Sequence, residues 1–244
     1  MQHSKANQQN QHDNAACLII RAFGIWMKQL LENQSVRSKN KLSLLIPTFC
    51  RYGKLARNLI YLSEVAASDL IPSGRCDDIE VIIADGTPAD FNDQRGLLKP
   101  KFLEVLEVAR KSLKVMYIES PESSYFRRFY ELVSASSSEI VSLLGDEDLF
   151  VFDSLADIFS LFNDRNINTV AGRYVDIHGY QRGRLKYSLH EGWFNEFKIE
   201  SSSAIERLRA YMSTRGIGIS PTSYSVNRRE FMIDVSKKML DNEK

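Results

Sequence analysis

Three acids, Asp146-Glu147-Asp148, stand together directly after Gly145 and the apolar run Ile140-Val141-Ser142-Leu143-Leu144. A short apolar run of this kind reads as a buried strand, so the acids are delivered side by side at its carboxyl end. Crowded carboxylates repel one another, which raises their pKa values and destabilises the fold unless a divalent cation or a cationic ligand offsets it. The cluster therefore suits a divalent cation or a cationic ligand. The other reading is a solvated turn whose acids cap the helix that follows.

Two further polar clusters end apolar runs: Pro47-Thr48-Phe49-Cys50-Arg51 after Leu42 to Ile46, and Asp85-Gly86-Thr87 after Ile79 to Ala84. Pro47 and the Asp-Gly-Thr-Pro turn are expected to stop their strands. Between the runs, helical spacing marks Lys54 to Ala67, Phe102 to Ser112, Tyr125 to Ala135 and Phe152 to Phe162. Lys114 to Ile118 and Glu139 to Leu144 read as further strands. Strands alternating with helices imply a mostly parallel sheet covered on both faces, with ligands bound beyond the carboxyl ends of its strands. Three polar clusters at one such edge make a shared site more natural than three unrelated turns.

After Arg165 the regularity weakens. Asn168 to Ile177 and Arg182 to Leu189 are β-rich, Ser201 to Ser213 is an amphipathic helix, Tyr224 to Val226 a short strand and Arg228 to Leu240 a closing helix. The division expected is a disordered tail over residues 1–15, an amphipathic helix and linker over 16–40, and one α/β domain over 41–244. The tail is almost free of aliphatic residues and cannot bury enough surface to order. Ile19, Ile20, Phe23, Ile25, Trp26, Leu30 and Leu31 recur at roughly helical spacing. That helix packs on the domain, or lies on a membrane surface or at a homodimer contact.

With 244 residues, 43% of them hydrophobic, the chain can bury a full core. Thirty-two basic against 31 acidic residues give a net charge of +1, so no global field favours nucleic acid. Cys17, Cys50 and Cys76 are widely spaced and odd in number, which fits a reducing, cytoplasmic setting with at most peripheral membrane contact. There is no phosphate-binding G-x-x-x-x-G-K-[ST] loop, no G-x-S-x-G elbow and no H-x-x-x-H pair. Gly216-Ile217-Gly218 lacks the third glycine of a dinucleotide fingerprint. His178 and His190 read as loop or partly buried polar residues.

Strand, Pro-Thr-x-x-Arg, strand, Asp-Gly-Thr, strand and Asp-Glu-Asp occur in an order that resembles a GT-A fold glycosyltransferase of the inverting, D-x-D-containing family 2 type, over roughly Lys41 to Lys238. Cys50 stands where that family commonly has Asn, Ala84 replaces the first acid of its Asp-Asp-Gly-Ser, and Gly145 falls on the first acid of the commoner D-x-D-D. The resemblance implies a nucleotide-diphosphate sugar donor, a glycan or lipid-linked hydroxyl acceptor and a Mg²⁺ or Mn²⁺ ion, with residues 41–150 as the nucleotide-sugar binding half of the domain and 151–244 as its acceptor-side half. Donor contacts would come from Pro47, Thr48, Arg51, Asp85, Gly86, Arg128, Asp146, Glu147 and Arg173, with Asp85 receiving a hydrogen bond from the donor base. The metal would sit on Asp146 and Asp148, the ligand being open among the three acids. Val170 to Tyr174 is similar to the family's next segment, and Pro221 to Arg229 to the Arg-containing turn before its last catalytic helix. The general base would be Asp241 or Glu243, unless it has been lost, as through truncation.

Arg127 and Arg184 join Arg128 and Arg173 as cations able to share the leaving-group charge. Helix-surface placement is the alternative for the first of each pair in sequence, Arg127 and Arg128 alike. Tyr180, Trp193 and Phe194 suit stacking on a sugar or packing in the core. Two other functions fit parts of the pattern: a non-catalytic glycosyltransferase-like module or assembly subunit, and a phosphotransferase with an aspartyl nucleophile.

Overall fold

The computed structural model describes residues 41–68, 78–91, 99–171, 175–181, 184–189, 203, 205–206, 209 and 225–243. The expected tail and amino-terminal helix, Arg173, His190, Trp193, Phe194 and most of Ser201 to Ser213 lie outside them.

The elements run β1 (Leu42–Thr48), α1 (Tyr52–Ala67), β2 (Ile79–Asp85), α2 (Lys99–Ala109), β3 (Lys114–Glu119), α3 (Tyr125–Ala135), β4 (Ile140–Leu143), α4 (Leu155–Leu161), β5 (Thr169–Val170), β6 (Val175–Gln181), β7 (Arg184–Leu189), β8 (Val226–Arg228) and α5 (Arg229–Asp241). Six strands form one sheet in the order β3-β2-β1-β4-β8-β5, and β6 pairs with β7. The β3-β2-β1-β4 portion is parallel, while β8 is antiparallel to both its neighbours. The α/β fold expected from the alternating elements is the one observed.

Strand side chains alternate between faces, and the core divides accordingly. Leu42, Leu44 and Ile46 pack with Leu55, Leu59 and Leu62 of α1 and Phe102 and Leu106 of α2. Leu45, Ile82 and Val141 pack on the opposite face with Phe129, Leu132 and Val133 of α3 and Met232 of α5. The α1 leucines recur at i, i+4 and i+7 and are fully buried, each stabilising the helix on the sheet by about 1.5–3 kcal/mol. Ser124 begins α3 by accepting a hydrogen bond from the Arg127 amide at 3.0 Å.

Several boundaries differ from expectation. The helix expected over Phe152 to Phe162 is confined to Leu155–Leu161, because Phe150 and Phe152 hold their rings 4.9 Å apart against the core and leave that stretch non-helical. Asn168 to Ile177 divides into β5 and the start of β6. Pro47 does not stop β1, which pairs with β2 as far as Thr48 and Asp85. Its effect falls on the other side. Leu45 accepts from the Leu144 amide at 2.9 Å, and successive residues of a strand turn their hydrogen bonds to alternate neighbours. Pro47 therefore faces β4 with no N–H to give, and β1 and β4 part there.

Two polar knots brace the sheet away from this fork. Buried Glu80 accepts from Ser43 at 2.5 Å, Lys114 at 2.6 Å and the Ser137 amide at 2.6 Å. These partners overcome the cost of its burial and lower its pKa to about 2. Buried Arg228 donates to the carbonyls of Phe162, Asp164 and Ile167, each at 2.8 Å, and covers the Phe162 ring. This arginine, in the segment likened to the family's Arg-containing turn, closes the end of α4 and braces the core.

Candidate functional site

The sheet order reverses at β1: the chain leaves it for β2 and β3 on one side and returns to β4 on the other. Such a switch point opens a crevice beyond the carboxyl ends of the two diverging strands. A cleft of about 380 Å³ lies there, lined by Pro47, Thr48, Phe49 and Arg51 after β1, Gly145 to Asp148 after β4, and Tyr125 and Arg128 of α3.

Thr48 and Asp146 close its base. The Thr48 hydroxyl donates to Asp146 Oδ2 at 2.8 Å, and Arg51 donates to Asp146 Oδ1 at 3.3 Å. That hydrogen bond raises the Arg51 pKa. Glu147 pairs with Lys54 and lies 3.7 Å from Arg51; the hydrogen bond from Lys54 lowers its pKa. The charges of Asp146 and Glu147 are thus offset by cations of this chain. The Asp148 amide closes a turn onto the Gly145 carbonyl at 3.0 Å. Its carboxylate lies over Gly145, where a Cβ would collide with it.

Arg128 is buried and spans the gap to β2. Its guanidinium sits over Gly86, where a Cβ would strike it, donates to the Ser123 carbonyl and lies 5.5 Å from the Phe49 ring centre. Burial lowers its pKa, and its Nε has no hydrogen-bond partner. A cation held nearly dry with an unused donor is prepared for an anion. Arg127 instead pairs with Glu131 at 2.8 Å along the exposed side of the helix.

Asp85 is buried beside the cleft but does not line it. It accepts from the amide and hydroxyl of Thr87 and, at 2.5 Å, from the Tyr117 hydroxyl. Burial and this carboxylate push Tyr52 up to about 12 and raise Tyr117 further above the usual tyrosine range. Thr87 in turn receives the Cys50 amide at 2.8 Å, so Asp85 ties the β2 turn to the loop after β1.

At the chain's end, α5 packs antiparallel to α3. Arg229 at its start bonds Ser136 and the Ser134 carbonyl at the end of α3. Just beyond its finish, Glu243 accepts from Ser124 at 2.6 Å, at the start of α3. Because β8 runs opposite to β4, the helix after it returns towards the cleft rim. Glu243 thereby bonds the residue next to Tyr125 of the cleft wall; it and Asp241, the last residue of α5, are both exposed.

Sequence reasoning missed the face of α1 that holds the acidic loop. Lys54 and Arg57 reach Glu147, the latter through its carbonyl at 2.8 Å. Asn58 donates to the carbonyls of Gly145 at 3.3 Å and Asp148 at 2.8 Å, and Tyr61 to that of Phe150 at 2.9 Å. The spacing i, i+3, i+4 and i+7 was the available signal. The side chains of Tyr180, His178 and Arg184 are not among those described, although their backbones lie in β6 and β7.

Among the described residues no group of three or more His, Cys, Asp or Glu side chains is arranged to hold a metal. Magnesium, however, needs only one or two protein carboxylates when substrate phosphates complete its shell. Asp146 and Asp148 on one cleft wall meet that smaller requirement. No helix among the described residues is long and apolar enough to cross a membrane.

No protein-family model matches the chain, and no curated protein does. Solved structures do. S. aureus TarS covers 80% of this chain with 29% of its own length, at a TM-score of 0.51 and 19% identity. Its 1–349 fragment covers 80% with 49% of its length, at 0.48 and 18%. The mannosyltransferase PcManGT from Pyrobaculum calidifontis, solved with GDP-Man and Mn²⁺, covers 62% with 41%, at 0.42 and 14%. The TarS fragment has also been solved with UDP-GlcNAc. This chain spans less than half of the structures it resembles. The shared feature is the fold: a central, mostly parallel sheet flanked by helices, as in these glycosyltransferases.

Proposed function

We propose that this protein transfers a glycosyl group from a nucleotide-diphosphate donor to a hydroxyl acceptor with the help of Mg²⁺ or Mn²⁺. The observation that carries the reading is the convergence of Thr48, Arg51, Arg128 and Asp146 to Asp148 on one cleft at the sheet's switch point. Structures of similar fold have been solved with UDP-GlcNAc and with GDP-Man and Mn²⁺.

Breaking the sugar–oxygen bond leaves negative charge on the diphosphate. Arg128 supplies a buried positive charge and an unused Nε donor beside it. Asp148 is the principal metal ligand in this proposal and Asp146, already joined to Thr48 and Arg51, a secondary one. A bound divalent ion would act as Lewis acid towards the leaving group. Asp85, committed to Thr87 and Tyr117, shapes the floor under Arg128 more than it reads the donor base. Glu243 takes the acceptor proton in a single displacement with inversion, oriented by Ser124. Asp241, the last residue of α5, is the second choice.

Incubation with a panel of nucleotide sugars and Mn²⁺ tests the reading through release of the nucleoside diphosphate. Turnover with at least one donor, reduced at least 100-fold in Asp148→Asn and Glu243→Gln, is expected. Absence of turnover with retained diphosphate binding would favour a non-catalytic module, a reading supported by the pairing of Asp146 and Glu147 with Arg51 and Lys54.

A further inference from the structure

Asn58 is a costly residue where it stands. It occupies the apolar face of α1 between Leu55, Leu59 and Leu62 and is fully buried. Asparagine disfavours a helix interior, and burying an amide costs free energy unless it is hydrogen-bonded. Its Oδ1 has no hydrogen-bond partner, which adds to that cost. What the amide gains is two bonds to one turn: Nδ2 reaches the carbonyls of Gly145 and Asp148, the two ends of the turn that carries Asp146 and Glu147. The same turn closes internally through the Asp148 amide. Both acceptors are carbonyl oxygens, so the donor side of the amide must face them.

We propose that Asn58 is a positioning residue that fixes the acidic turn, and with it the Asp148 carboxylate, for binding a divalent ion together with a diphosphate. The metal part rests on the glycosyl-transfer reading; the mechanical part does not. Lys54 and Arg57 hold the turn from the exposed side, where solvent weakens such contacts. Asn58 acts from the dry side. Gly145 serves the same end, because only a residue without a Cβ lets the Asp148 carboxylate lie back over the turn.

The test compares wild type, Asn58→Leu and Gly145→Ala for UDP and GDP binding with and without Mn²⁺, alongside amide hydrogen exchange of residues 145–150. Both variants are expected to lose at least 10-fold of the Mn²⁺-dependent gain in affinity, and Asn58→Leu, which lies outside the cleft lining, should keep its metal-free affinity within about 3-fold. The Asp148 amide in Asn58→Leu should exchange at least 10-fold faster than in wild type, with the β1 and β2 amides unchanged. An unaltered Mn²⁺ gain in Asn58→Leu would overturn the proposal, as would equal losses with and without the metal. If wild type gains nothing from Mn²⁺, the glycosyl-transfer reading falls, and exchange alone decides the clamp. Unchanged protection of the Asp148 amide would then overturn it.

Discussion

Thr48 donates its hydroxyl to Asp146 at 2.8 Å, joining the ends of two adjacent strands from positions 98 residues apart in the chain. The bond spans the place where β1 and β4 separate, so it sets how wide the crevice opens. Replacing Thr48 with Val keeps the shape and removes the donor from a buried carboxylate. A loss of about 1–3 kcal/mol is expected in urea unfolding, together with weaker nucleoside-diphosphate binding. Full retention of both would show that the fork is set elsewhere.

Arg128 and Gly86 form a second such pair, because the guanidinium lies where a side chain at position 86 would have to go. Gly86→Ala should therefore displace Arg128 and imitate Arg128→Gln. Each is expected to weaken UDP or GDP at least 10-fold in calorimetry. Arg128→Lys should recover only part of the loss, since a point charge does not reproduce a planar fork. Equal binding by Gly86→Ala and wild type would place the diphosphate away from Arg128.

Cys50 has a backbone φ of 58°, in the left-handed region that a cysteine adopts at a cost. Asparagine tolerates that region better. Cys50→Asn should raise the unfolding free energy by about 0.5–1 kcal/mol in urea titration, if the Cys50 amide keeps its bond to Thr87. A lower midpoint would mean that the thiol's packing outweighs the backbone preference.

Glu80 tests acid stability independently of the cleft. Its folded pKa, about 2, lies below the ordinary 4.5. The folded state thus favours the charged form. Stability from this group is full above about pH 4.5 and is lost as pH falls through 4.5 towards 2. Glu80→Gln should cost on the order of 2–3 kcal/mol at pH 7 and flatten the loss of stability between pH 5 and 2. Unfolding curves across that range check both, and nucleotide affinity at neutral pH should stay near wild type.

The alternation of strands and helices was legible because the parallel strands are short, mostly apolar runs and α1 and α3 carry clear amphipathic spacing. The convergence of the β1 and β4 termini followed from that alternation. What the sequence concealed were contacts whose partners are main-chain atoms. Asn58, Arg57 and Tyr61 bind carbonyl oxygens, which every residue possesses, so no composition marks their target. Asn58 did leave one trace, an amide in a row of leucines. The role of Asp85 was obscured for a different reason: its partner Tyr117 comes from β3, a strand away. Arg228 lies in the segment likened to an Arg-containing turn, and an arginine there looks the same in sequence whether it meets a phosphate or, as here, three backbone carbonyls.

Diffraction from crystals soaked with UDP or GDP and Mn²⁺, recorded for manganese anomalous signal, addresses the cleft most directly. The expected map has one anomalous peak within bonding distance of the Asp148 carboxylate, with diphosphate oxygens beside it and Arg128 against the phosphates. A nucleotide bound elsewhere, or manganese with no contact to residues 146–148, would contradict the assignment of this cleft to a nucleotide-sugar donor.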